Sequence, residues 1–366
     1  MTSRNDATME YAGLPARPGA APGRFHQFRQ YLHLLITLLG VYAAMAVLSG
    51  LDIQGEPLRP SQWRFDVPRF VVQEAEDGSW VLNTFNQRKI LEQAAINLTL
   101  GVGMTFVILT GGIDLSVGSL LAVCNVVFVR ILRDYGGGGP PGADMLAWGL
   151  LACCTAGVVC GAANGWLSVA MRIPSFIVTL GTLLILRGVA YWLSGGQTWL
   201  LACPARMTVA VPIGISVLAV AAAGVFLSTT ALGRQVYAVG GNLLASSYAG
   251  VRTGPVRVMC FAFSGLCAGL AGMIFWSRTS TGSYTAGEGA ELYAIAAVVL
   301  GGTRLSGGEG SIIGTMIGAL IMAVLANGLN TASVHELTQK IIVGCVLIVA
   351  AYIDSRRSRV GGALVT

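Results

Sequence analysis

Apolar residues come in long runs, at about 31–49, 90–110, 116–132, 146–170, 174–193, 208–228, 257–276, 290–302, 311–330 and 337–353. Most approach the ~20 residues a helix needs to cross a bilayer. The pattern predicts an all-α polytopic membrane protein of about ten transmembrane helices. The run at 290–302 is too short to cross alone, and glycines follow it. Short, glycine-interrupted segments predict broken helices, because irregular backbone survives at membrane depth only inside protein or beside a cavity.

Polar stretches set the boundaries. Residues 1–30 are rich in Pro, Gly and Arg and lack an apolar core ending in a small-residue cleavage site. They read as a disordered cytoplasmic tail and not a cleaved signal. The membrane domain then covers 31–354, with an extracytoplasmic insert at 51–89 and a cytoplasmic loop at 229–254. Residues 355–366 form a second tail. The insert holds Trp63, Trp80, Pro60 and Pro68 with mixed charge, and Arg69 to Val81 predicts a short hairpin. Ten crossings would put both tails on one side with Arg172 and the loop. That side would hold Arg4, Arg17, Arg24, Arg29, Arg234, Arg252, Arg257, Arg356, Arg357 and Arg359. Outside the insert, the other side offers Arg130, Arg133, Arg206 and Arg278, with Arg187, Arg304 and Lys340 left aside within or beside apolar runs. Basic loops stay cytoplasmic, so both termini are expected inside and the insert outside.

Composition narrows the function classes. The 366 residues are 54% hydrophobic and 11% charged, with a mean hydropathy of +0.69; soluble domains carry about 25% charge. No Asp or Glu occurs from Met145 to Gly287. The net charge of +6 therefore does not point to nucleic acid. Eight cysteines without a CxxC, beside three histidines, read as small packing residues and not as a metal site. A phosphate-binding loop needs GxxxxGK[ST], and Lys89 and Lys340 are the only lysines. Any ATP hydrolysis belongs to a partner chain, and no cofactor is expected on this one. Gly157, Gly161 and Gly165, Gly265 and Gly269, and Gly310, Gly314 and Gly318 stand four apart. That spacing lets helices approach closely in lipid, within the chain or across a dimer seam.

One short stretch has an echo. GGIDLSVG at 111–118 matches GGTRLSGG at 301–308 at both leading glycines, the leucine, the serine and the last glycine. Each follows an apolar run and precedes another, so Gly111, Gly112, Gly301 and Gly302 predict two matching helix breaks. Ser116 or Ser306 would cap the next helix. The echo places Asp114 opposite Arg304 in the alignment. A carboxylate at membrane depth is costly and usually paired or functional. Asp114 is thus either a pathway residue or a structural clasp. It either pairs with Arg304 or accepts backbone N–H groups as a local cap. Thr110, Ser116, Ser119, Thr105, Thr179, Thr182 and Asn97 are further polar candidates near the first break. Asn164, near one end of its run, suits a hydrogen bond between helices.

Residues 231–251, ALGRQVYAVGGNLLASSYAGV, are long for a connector. They suit a short helix lying in a partner's groove. Together with GMTFVILTGGIDLSVGS, NGWLSVAMRIPSFIVTLGTLLILRG and ELYAIAAVVLGGTRLSGGEGSIIGTMIGALIM, this loop resembles the permease subunits of bacterial ABC importers for monosaccharides, of the ribose, arabinose, xylose and galactose type. The likeness covers about residues 88–354. It implies a bacterial inner-membrane protein with a second permease chain, a cytoplasmic ABC ATPase and a periplasmic sugar-binding protein as partners. It implies that Gly233, Arg234, Gly240, Gly241 and Asn242 belong to the element that docks on the ATPase. It implies a translocation path near Asp114, Ser116, Thr110, Asn164, Arg304 and Ser306. The insert at 51–89 departs from the family pattern. A secondary transporter coupled to ions or protons through Asp114 and Arg304 is the alternative. A membrane-embedded enzyme has no histidine cluster or nucleophile motif to support it.

Overall fold

Each of the ten apolar runs falls on a helix in the computed structural model. The model describes residues 24–363 apart from 50, 53–63, 66–69, 75–79, 137–140 and 204–209. In chain order the helices are α1 (Arg24–Ser49), α2 (Thr84–Leu109), α3 (Val117–Tyr135), α4 (Ala143–Ala170), α5 (Ser175–Ser194), α6 (Ala210–Thr229), α7 (Ala231–Gly241), α8 (Leu243–Tyr248), α9 (Thr253–Thr279), α10 (Ala290–Leu300), α11 (Ile312–Thr331) and α12 (Glu336–Ala363). Three two-stranded antiparallel pairs accompany them: β1 (Leu51–Asp52) with β2 (Arg64–Phe65), β3 (Val72–Glu74) with β4 (Trp80–Leu82), and β5 (Trp199–Leu200) with β6 (Thr281–Gly282).

Six of these helices, α2, α4, α5, α6, α9 and α11, are long and apolar enough to cross a bilayer. Tyr31–Val47 within α1, and α10, are shorter apolar helices. α3 is apolar for most of its length but carries Arg130, Arg133 and Asp134 near its end. Large apolar side chains face outward along the bundle, among them Leu184, Ile185 and Trp192 on α5 and Val217 and Leu218 on α6. Water would penalise a surface like this; lipid does not. The chain is an α-helical, multi-pass membrane protein.

Three boundaries differ from the sequence reading. α1 begins at Arg24, so the last residues of the expected disordered tail are helical, while residues 1–23 lie outside those described. α2 begins at Thr84, so the insert ends near Asn83 and not Lys89. The Asn83 side chain accepts the Asn86 N–H at 2.9 Å, and Arg88 pairs with Glu92 one turn on at 2.9 Å. Caps and such pairs support polar helical turns that apolar periodicity does not reveal. α12 runs to Ala363, through most of the expected C-terminal tail. The hairpin predicted in the insert is β3–β4. Beside it, the Asn86 side chain donates to the Phe70 carbonyl at 2.8 Å and accepts from Asn327 of α11 at 2.7 Å.

The glycine spacing serves packing within the chain. α4 and α9 meet so closely that a Cβ on Gly157 would collide with the Gly265 carbonyl, and one on Gly265 with the Gly157 carbonyl. Cys124, Cys153, Cys260 and Cys267 are buried among the apolar side chains, as packing residues.

Candidate functional site

Both helix breaks end in the same backbone motif. At α2, the Gly112 N–H donates to the Val107 carbonyl (3.0 Å) and the Gly111 N–H to Ile108 (2.8 Å), with Gly111 at φ +74°. At α10, the Thr303 N–H donates to Val298 (3.2 Å) and the Gly302 N–H to Val299 (2.9 Å), with Gly302 at φ +86°. This is the Schellman closure, whose left-handed residue favours glycine. The structural match is one residue out of register with the sequence echo. Gly111 corresponds to Gly302 and not Gly301, which sets Asp114 opposite Leu305. Arg304 falls opposite Ile113.

Asp114 is fully buried. Its Oδ1 accepts the Ser116 N–H (3.0 Å) and the Ser116 hydroxyl (2.6 Å), and its Oδ2 accepts the Ser264 hydroxyl of α9 (3.1 Å). Ser116 Oγ accepts from Asn164 of α4 at 2.8 Å. On either side, the Ile113 and Leu115 N–H groups donate to the Ser175 and Thr179 hydroxyls of α5, at 3.0 and 3.1 Å. The segment 113–116 thus gathers four helices: its carboxylate joins the start of α3 to α9, its Ser116 hydroxyl reaches α4, and its backbone N–H groups reach the first turns of α5. A carboxylate without a counter-ion is tolerated in a dry site when several donors reach it. Arg304 is not its partner: that guanidinium pairs with Glu309 at 2.7 Å, five residues on in its own loop. The Asp114–Arg304 pair does not form, and the expected local cap is only part of the arrangement: Asp114 takes one backbone N–H, from Ser116, and two hydroxyls, one of them from α9. Ser116 stands at the N-cap of α3 but spends its hydroxyl on Asp114. Ser306 is exposed and caps nothing; Ser311 caps α11, accepting the Gly314 N–H at 2.9 Å. The Thr110 hydroxyl is buried and donates to the Val107 carbonyl.

The end of α7 wedges against both breaks. The Gly308 N–H donates to the Leu109 carbonyl at 2.9 Å. A Cβ on Gly240 would collide with Leu109 O and the Gly308 N–H, and one on Gly308 would come within 2.7 Å of Gly241 Cα. The three segments therefore touch backbone to backbone, which only glycine permits here. Tyr237 of α7 donates to the Gly310 carbonyl at 3.1 Å. Burial pushes its phenol pKa up, with Tyr31 adding to the effect, so the group stays a donor. Where one short helix was expected in 231–251 there are two, α7 and α8, separated at Asn242, whose side chain accepts the Ala245 N–H at 2.9 Å. Gly233 is buried in the first turn of α7, and its N–H donates to the hydroxyl of the N-cap Thr230 at 2.9 Å. Arg234 and Asn242 are exposed, as are Leu232, Leu244 and Tyr248.

A third irregular stretch was not anticipated. Between α9 and α10, residues 281–289 run back along α3. A Cβ on Gly282 would crowd Val129, the Ser283 N–H donates to Asn125 Oδ1 (2.9 Å), and a Cβ on Gly287 would crowd Leu121. Arg187 of α5 holds this strip, donating to the Tyr284 (2.6 Å) and Ala286 (2.9 Å) carbonyls. The visible signal was a lone arginine inside the apolar run 174–193, which the orientation count left aside.

Apolar outer surface, broken helices and buried polar clasps define a polytopic helical membrane protein. The family described as branched-chain amino acid transport system / permease component matches residues 87–351. The chain belongs to that family. Among its relatives, the ribose import permease protein RbsC of Escherichia coli K12 is 39% identical over 289 residues, covering 75% of this chain and 86% of the relative. RbsC of Bacillus subtilis 168 is 39% identical over 287 residues (76% and 87%). The xylose transport system permease protein XylH of E. coli K12 is 32% identical over 352 residues (77% and 88%). The resemblance read from the motifs is the one these relatives carry. No solved structure matches the chain.

Proposed function

We propose that this chain is the transmembrane subunit of an ATP-driven importer for a monosaccharide. Two such subunits, copies or sisters, enclose the translocation path in the inner membrane. A periplasmic binding protein delivers the sugar, and a separate ATPase docks on α7 and α8. The sugar class rests on the ribose and xylose relatives. The observation that carries the coupling is the wedge of Gly240 against Leu109 and Gly308. A push on α7 must reach both helix breaks at once, because no side chain lies between to absorb it. The exposed Leu232, Leu244 and Tyr248 suit a partner surface. The alternative is a secondary transporter coupled to ions or protons through Asp114 and Arg304; the ribose and xylose permease relatives support the ATP-driven reading over it.

The test is uptake of labelled ribose, xylose, arabinose or galactose into proteoliposomes holding the chain with its ATPase and binding protein. ATP-dependent accumulation of one sugar is expected. Accumulation driven by a proton gradient without ATP would overturn the reading. The same reading places ten crossings with both termini cytoplasmic. A single cysteine at Ser61 should then label from outside with an impermeant thiol reagent, and one at Ser358 should not. Ser61 lies outside the described residues. Equal labelling would remove the topology.

A further inference from the structure

We propose that Asn97 donates a hydrogen bond to an oxygen of the transported molecule as it passes the middle of α2. Asn97 is the midpoint of that helix, with 13 residues before it and 12 after. It is 2% exposed, and its Nδ2 is buried without a hydrogen-bond partner. Buried amides are almost always satisfied, so one that is not calls for an account. The neighbours supply it.

Arg278, in the last turn of α9, donates to the Gln93 side-chain oxygen. A guanidinium has donors and no acceptor, so this contact fixes which end of the Gln93 amide is oxygen. The Gln93 NH2 then donates to Asn97 Oδ1 at 3.2 Å, one helical turn on. That in turn fixes Asn97, with its NH2 facing away from Gln93. The relay runs in one direction, from a permanent cation through two amides to a donor with nothing to receive it. Flipping either amide would set two donors or two acceptors against each other. The unsatisfied NH2 is therefore imposed by Arg278 and is not an arbitrary assignment.

One turn beyond Asn97, a Cβ on Gly101 would lie 3.0 Å from Thr315 and 3.9 Å from Val298, so this face of α2 looks toward α11 and the short helix α10. Most other polar candidates on this part of the chain are spent. Thr99 shares a hydrogen bond with Ser216 (2.9 Å), Thr105 with Thr315 (2.7 Å), and Thr179 holds Leu115. A neutral, oxygen-rich molecule is the chemistry that an oriented, uncharged donor would recognise. A cation would be repelled and a hydrocarbon would gain nothing.

The inference rests on the sugar-import reading, and the experiment separates the two. Wild type, Asn97→Leu and Asn97→Asp are each assembled with the ATPase and binding protein. Initial sugar uptake and unfolding temperature are measured for all three. Asn97→Leu removes the unpaired donor along with the acceptor of the part-exposed Gln93 amide, so its unfolding temperature should stay within a few degrees of wild type while uptake falls at least tenfold. Asn97→Asp keeps the acceptor for Gln93 and removes the donor, so its uptake should fall equally. Uptake within twofold of wild type in either variant overturns the proposal. So does a Leu variant that unfolds several degrees lower, which would make Asn97 a packing residue. If wild type moves no sugar, the import reading has failed. In that case the proposal for Asn97 falls with it, whereas loss of uptake confined to the variants, with wild type active, supports both.

Discussion

At residues 110–116, the break between α2 and α3 withholds Asp114 from solvent altogether, whereas the break between α10 and α11 leaves Arg304 31% exposed beside Glu309. The two share their Schellman closure and differ in the length of chain that leads to the next helix. After Gly111 the next N-cap, Ser116, comes five residues on; after Gly302 it is Ser311, nine on. The shorter break is clasped between α4, α5 and α9, so its charge must be met by donors inside the protein. The longer one extends as a loop, reaches Leu109 and the end of α7, and keeps its charges as a local pair. One break is built to hold helices together. The other is built to be touched.

The largest effect is expected where the two meet. Gly240→Ala forces three backbones apart, and overpacking of this kind costs about 3 kcal/mol or more at its upper end. Transport should be lost and the unfolding temperature should drop. Gly241→Ala, one residue on, finds open space and should stay within about 0.5 kcal/mol. Equal behaviour of the two would mean α7 does not wedge against the breaks.

Next comes Asp114. Asp114→Arg buries an unpaired charge and should cost about 3–5 kcal/mol, the loss seen when buried pairs are broken. Adding Arg304→Asp should recover none of the folded yield, because Arg304 has Glu309. Asp114→Asn keeps an acceptor for both Ser116 donors and should cost about 1 kcal/mol. Recovery in the charge exchange would restore the pairing idea.

Smaller effects sharpen the register. Gly111→Ala and Gly302→Ala each place a Cβ on a left-handed residue and should cost about 1–2 kcal/mol in thermal unfolding. A clear cost at Gly111 with none at Gly302 would break the structural equivalence of the two ends. Smallest of all, Arg304→Ala or Glu309→Ala removes a partly exposed ion pair and should change stability by less than about 1 kcal/mol, and less still in high salt.

Hydrophobic run length was enough to place the apolar helices, because in lipid the backbone has few choices besides the helix. The glycine pairs also marked both breaks, since a left-handed closure needs glycine at one position. Sequence could not say which glycine: GGID and GGTR align on their first letters, while the chain closes its helices on Gly111 and Gly302. It could not show that Asp114 would be met by Ser116 and Ser264, the second 150 residues away. Arg304 finding Glu309 was local and legible in TRLSGGEG, yet the echo drew attention to the wrong carboxylate. Arg187 on the 281–289 strip, and the relay from Arg278 to Asn97, join segments that only packing brings together. The sequence by itself determined which segments form apolar helices and that glycine pairs interrupt them, because desolvation of apolar groups and backbone acts residue by residue. The tertiary structure alone decided where each buried polar group ends its hydrogen bonds, because that depends on which distant donor arrives within about 3 Å.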